Sequence, residues 1–83
     1  MAYRIEIKAS ARKEMEAFPM AFRKRIDLAI LTLAETPRPP RCRKLDDDLY
    51  RVRLGDYRVV YRVYDDILLV VVVRIRHRSG VYR

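Results

Sequence analysis

Residues 49–64 read Leu49-Tyr50-Arg51-Val52-Arg53-Leu54-Gly55-Asp56-Tyr57-Arg58-Val59-Val60-Tyr61-Arg62-Val63-Tyr64, and their period of two decides the fold. Two alternating runs flank Gly55-Asp56, a pair that predicts a β-hairpin closed by a two-residue loop. With that loop, Leu54 opposes Tyr57, Arg53 opposes Arg58, Val52 opposes Val59 and Arg51 opposes Val60. Residues two apart share a face, and directly paired residues point the same way. One face therefore collects Tyr50, Val52, Leu54, Tyr57, Val59, Tyr61 and Val63, which is the core side. The other collects Arg51, Arg53, Arg58 and Arg62. Like charges opposed across a strand pair destabilise it, and neither strand offers an acidic residue in compensation. A solvated basic face would tolerate this pattern without explaining it. A phosphate site explains it, because a guanidinium forms paired hydrogen bonds to phosphate oxygens and keeps its charge near neutral pH.

Beyond the hairpin, a third run from Ile67 to Ile75 follows Asp65-Asp66, which reads as a second short turn. An antiparallel meander results, and pairing through that turn sets Val73 opposite Arg58. The third strand is apolar on both faces, so it is central, with the alternating segment Tyr3-Arg4-Ile5-Glu6-Ile7-Lys8 on its far side. Between these segments, Ser10 is the expected N-cap of a helix over residues 11–18, whose Ala11, Met15 and Phe18 share one side. Pro19 ends that helix and opens the next. There, Phe22, Ile26, Ala29, Ile30 and Leu33 form an apolar stripe, Arg23, Lys24 and Asp27 face out, and Thr36-Pro37 is the stop. Residues 37–48, with three prolines, four basic residues and three consecutive aspartates, show no period and read as a loop ordered at its basic end. The predicted order β-α-α-β-β-β is an α+β fold: a mainly antiparallel four-stranded sheet with a helical hairpin on one face.

With 83 residues, about half of them apolar, the chain is expected to form a single domain over residues 1–83 with one modest core. One cysteine, Cys42, and one histidine, His77, cannot build an internal disulfide or a zinc site. The apolar run Ile67–Val73 is too short for a membrane helix. The amino terminus lacks the order of a signal peptide, so a cytoplasmic location is expected. The formal net charge is +8, with twelve Lys/Arg against six Asp/Glu in residues 37–83 and seven against five before them. Such a surface attracts polyanions. The tail Arg76-His77-Arg78-Ser79-Gly80-Val81-Tyr82-Arg83 leaves the sheet beside Arg58 and brings further arginines, the histidine and a tyrosine to the same patch. His77, flanked by two arginines and away from any apolar stripe, is a candidate proton-transfer group. Tyr82 either tethers a loose end or stacks on an RNA base.

The run from Leu49 to Tyr61, followed by His77-Arg78-Ser79-Gly80-Val81-Tyr82 and preceded by Lys44-Leu45 and the helical hairpin, resembles the signature of the RelE/ParE toxin superfamily over essentially the whole chain. The His-Arg-x-x-x-Tyr ending is similar to its ribonuclease branch. The resemblance implies a toxin of a type II toxin–antitoxin system that cleaves messenger RNA in the A site of the 70S ribosome, without metal or other cofactor. The ribose 2′-OH attacks the adjacent phosphate and leaves 2′,3′-cyclic phosphate and 5′-OH ends. By the same resemblance, Arg58 steadies the phosphate, Arg51 and Arg53 hold the RNA backbone and aid proton transfer, Arg78 serves the leaving group, and Tyr82 orients the attacked nucleotide. Arg41, Arg43, Lys44, Arg62 and Arg76 are the further residues expected to hold RNA; Arg76 stands where many relatives have glycine. Arg51 stands where relatives often carry lysine, and since arginine does not deprotonate, His77 becomes the candidate base or acid. Some relatives continue beyond the tyrosine into a helix that moves on antitoxin binding. This sequence ends at Arg83, so inhibition is expected from an acidic segment of a RelB-like antitoxin that wraps helices and sheet and neutralises the arginines. The alternatives are a ParE-like inhibitor of DNA gyrase, which needs no such tail, and an inactive RNA-binding homologue.

Overall fold

The computed structural model describes residues 2–77. Seven elements follow one another: β1 (Arg4–Ile7), α1 (Ala9–Glu16), α2 (Met20–Glu35), β2 (Arg43–Lys44), β3 (Leu49–Leu54), β4 (Tyr57–Tyr64) and β5 (Leu69–His77). They form an α+β fold whose sheet has the order β1-β5-β4-β3-β2, with β1 parallel to β5 and every other pair antiparallel. The sheet thus has five strands where the sequence predicts four. The addition is β2, two residues inside the proline-rich loop, too short to show a period.

The core lies between the helices and one face of the sheet. Ala11, Met15, Phe18, Ile26, Ile30 and Leu33 pack against Tyr50, Val52, Val59, Tyr61, Val63, Val70, Val72 and Ile75. The expected helical stripe supplies this packing, except that Phe22 stays at the rim, with its ring 5.2 Å from that of Tyr57. Helix α1 begins earlier than Ser10 predicts. The Lys8 N–H still donates to the Val72 carbonyl at 2.9 Å, so the chain leaves the sheet at Lys8, which occupies the N-cap position without a side-chain cap, and Ser10 falls in the first turn. Pro19 is the N-cap of α2 and Thr36 its C-cap, so these two boundaries agree with the sequence.

Gly55 turns the β3–β4 hairpin with φ +61°, a left-handed conformation that a side chain disfavours. The register is the one the two-residue loop dictates: Leu54↔Tyr57, Arg53↔Arg58, Val52↔Val59 and Arg51↔Val60. Between β4 and β5 the register differs from expectation, and Arg58 pairs with Arg76, not Val73. Two causes add. The turn runs from Asp65 to Leu68, with Leu68 at φ +51°, so Tyr64 pairs with Leu69. A β-bulge then follows: Tyr61 pairs with Val72 but Val60 with Arg74, and Val73 is the extra residue.

A hydrogen-bonded cluster ties the loop after α2 to the sheet. Tyr61 is buried and its hydroxyl donates to the Pro37 carbonyl at 2.8 Å. Arg38 donates from Nε to the Tyr50 hydroxyl at 2.9 Å and reaches Asp65 at 2.6 Å, and the Tyr3 hydroxyl donates to the same carboxylate at 2.5 Å. Arg38, and secondarily Tyr3, hold the Asp65 carboxyl below the usual carboxylate range, while the Asp65 hydrogen bond raises Tyr3 above the usual phenol value.

Candidate functional site

The face of the sheet turned away from the helices carries the candidate site. Pairing sets its residues in transverse rows, because partners across each ladder point the same way. One row runs Arg53–Arg58–Arg76 across β3, β4 and β5. The next runs Arg43–Arg51–Val60–Arg74 across β2 to β5. A third runs Leu49–Arg62–Val71–Glu6 and reaches β1. Arg43, Arg51, Arg53, Arg58, Arg62, Arg74 and Arg76 therefore share one surface. Their crowding is felt electrostatically. Arg51 has its pKa lowered, first by partial burial and then by the charges of Arg53, Arg43 and Arg58.

Few carboxylates temper this field. Asp48 accepts an ion pair from Arg62 at 2.5 Å. Glu14, reaching over from α1, lies 3.8 Å from Arg74 and 3.9 Å from Arg76. Glu14 also accepts the Ile75 N–H at 2.9 Å, a backbone group on the edge of β5 that β1, paired only as far as Val72, leaves uncovered. Among the described residues, Arg43, Arg51 and Arg53 have no carboxylate within ion-pair distance. Also among the described residues, no three of His, Cys, Asp and Glu converge on a point that could hold a metal ion. The arrangement can bind successive phosphates of a polyanion and stabilise charge growing on one of them.

The expected site residues divide by face. Arg51, Arg53, Arg58, Arg62, Arg43 and Arg76 come together on the rows. Lys44 pairs with Tyr50, which puts it on the helix side. Arg41 lies on the rim of a groove between α2 and β3. His77 pairs with Tyr57, and its ring stands edge-on to that of Tyr57 at 5.1 Å. Its neighbour there is an aromatic cluster, since Tyr57 also meets Phe18 at 4.8 Å, so the histidine is not away from apolar residues as its sequence neighbours suggest. The slipped register is the cause: it carries Arg76 onto the arginine face and His77 to the opposite one. Arg78 and Tyr82 lie outside the described residues. Sequence reasoning missed Arg74, which the bulge at Val73 turns onto the arginine face.

A family model described as the ParE toxin of type II toxin–antitoxin systems, parDE, matches residues 5–82. The chain belongs to this toxin family. Among curated proteins it is similar to RelE1 of Methanocaldococcus jannaschii, 31% identical over 88 residues that cover all of this chain and 98% of that protein. Among solved structures it is similar to the toxin in the archaeal RelE–RelB complex of Pyrococcus horikoshii, with TM-score 0.82, 28% identity, and coverage of 98% of this chain and 100% of that one. The toxin of the intact E. coli RelBE toxin–antitoxin complex superposes with TM-score 0.78 and 26% identity over 89% of this chain and 94% of that one. The RelE/ParE family fold, a helical hairpin on a five-stranded, mostly antiparallel sheet, is thus shared with these toxins. In this family member, no described helix is long and apolar enough to cross a membrane.

Proposed function

We propose that this toxin cleaves messenger RNA in the ribosomal A site and is silenced by a RelB-like antitoxin. The observation that carries the reading is the row Arg53–Arg58–Arg76 beside the row Arg43–Arg51–Arg74, a surface that folding stability alone does not favour. In the reaction, the 2′-OH of one nucleotide loses its proton and attacks the adjacent phosphorus. The P–O5′ bond breaks, and the departing oxygen takes up a proton to give a 5′-OH beside a 2′,3′-cyclic phosphate. Negative charge grows on the phosphoryl oxygens as both bonds are partly formed. Fixed guanidiniums aimed at those oxygens stabilise it most where water is scarce. Arg58 is central in its row and half-buried, which suits that task, while Arg51 and Arg53 hold the flanking backbone. Arg78 and Tyr82 are assigned the leaving oxygen and the attacked nucleotide. His77, which follows Arg76 at the end of β5 with its ring against Tyr57, is the proposed proton-transfer group.

The antitoxin reading draws on two similar toxins solved with RelB partners. A groove of about 490 Å³ between α2 and β3, lined by Ala29, Leu33, Pro39 and Val52 and rimmed by Arg25 and Arg41, suits an acidic, partly apolar segment. The family model's ParE name favours a second reading, inhibition of DNA gyrase through protein contact. A reconstituted translation reaction run beside a gyrase supercoiling assay separates the two. The proposal expects message fragments ending in 2′,3′-cyclic phosphate and undisturbed supercoiling; intact message with blocked supercoiling overturns it.

A further inference from the structure

Val60 is the one apolar member of its row, with Arg51 and Arg74 across the ladders and Arg58 and Arg62 two residues either way along β4. It sits where the β4–β5 ladder bulges, and a hollow of about 320 Å³ lies there, lined by the apolar Leu49, Val60 and Val73 and by Lys8, Arg62 and Arg74. Bulges bend a strand and re-aim its side chains, and they concentrate beside functional sites. A half-buried aliphatic floor inside a ring of cations has a poor rationale as bare surface, since water is held next to apolar groups and the guanidiniums repel one another. Both features suit a ligand that alternates apolar planes with anions.

We propose that this hollow is a second nucleotide subsite, which seats one ribose and base on Leu49, Val60 and Val73 while Arg58 and Arg51 hold the phosphate on one side of it and Arg62, Arg74 and Lys8 the phosphate on the other. The inference rests on reading the arginine face as an RNA site and adds to it a footprint: two phosphates straddling one nucleoside. Asp48 on Arg62 and Glu14 on Arg74 are the carboxylates that the outer phosphate must displace or share, which leaves Lys8 and the freed faces of those arginines to compensate. Base recognition at an aliphatic floor reads the base's face, not its edge, so the subsite tolerates any base.

The test uses 2′-O-methyl oligouridylates, which lack the attacking hydroxyl, with binding followed by fluorescence anisotropy. Between a probe carrying a single phosphate and one whose two phosphates flank a nucleoside, wild-type affinity is expected to rise by about tenfold, the scale of a modest apolar area removed from water. Val60→Gln fills the hollow without changing the charge of the face, and it should remove that step while the single-phosphate probe binds as before; a matching thermal melt confirms folding. Lys8→Ala should lower affinity for the longer probe alone. A wild-type protein with no step, or a Val60→Gln variant that keeps it, overturns the subsite. A Val60-dependent step in a protein that leaves ribosome-bound message intact keeps the subsite and removes the ribonuclease reading instead, and cleaved message without a step does the reverse.

Discussion

Single residues decide whether the site is only sticky or also reactive. His77 is the sharpest case, because its ring rests on Tyr57, across the sheet from the arginines it accompanies in sequence. Its proposed proton-transfer role predicts that His77→Gln lowers the cleavage rate by about 10²-fold or more in a protein whose thermal melt matches wild type. An unchanged rate would move that step to other groups. Asp65 tests a structural residue by pH. Its folded pKa lies below the unfolded value because Arg38 and Tyr3 donate to it, so its contribution to stability is present above about pH 4 and is lost as pH falls through the lowered value. Wild type and Asp65→Asn should therefore differ in urea midpoint near neutral pH and converge in acid; a constant difference would contradict the linkage. Tyr3 works in the opposite sense. Its raised pKa gives stability present below pH ~10 and lost as pH rises further.

Elements show what was legible in the sequence and what was not. The β3–β4 register followed from Gly55-Asp56, since a two-residue loop leaves only one pairing. Gly55→Ala should cost about 1–2 kcal/mol in chemical denaturation, the penalty for a side chain at φ +61°, although nothing lies within 4 Å of the added methyl. The β4–β5 register was illegible for two physical reasons. Asp65-Asp66 has turn chemistry, but the turn extends through Ile67 to Leu68, and a leucine gives no sign of a left-handed backbone. The run Leu69–Val73 is apolar at every position, so alternation carries no phase information and a bulge inside it leaves no trace. From that slip came the misplacement of His77 and the omission of Arg74. Arg51, Arg53, Arg58 and Arg62, all on the legible hairpin, share one face as the sequence requires.

At the scale of the whole molecule, helices cover one face of the sheet and leave the other rich in cations, which suits the encounter with a polyanion proposed for this +8 chain. Counterion release makes that encounter salt-dependent: log K for a single strand falls with log salt at a slope of about −0.7 per phosphate neutralised. Arg76→Ala, which removes one guanidinium from the row of Arg53 and Arg58, should shrink the slope for a non-cleavable message fragment by about 0.7. An unaltered slope would mean that Arg76 meets no phosphate. The claim on which the rest stands is that the row through Arg58 holds the phosphate being cut. Primer extension on ribosome-bound message, with wild type and Arg58→Ala at equal concentration, reads it directly. The account predicts new ends within the A-site codon for wild type and a loss of about 10²–10³-fold in their rate for a folded Arg58→Ala protein. Equal cleavage by the two, or none by wild type, would contradict it.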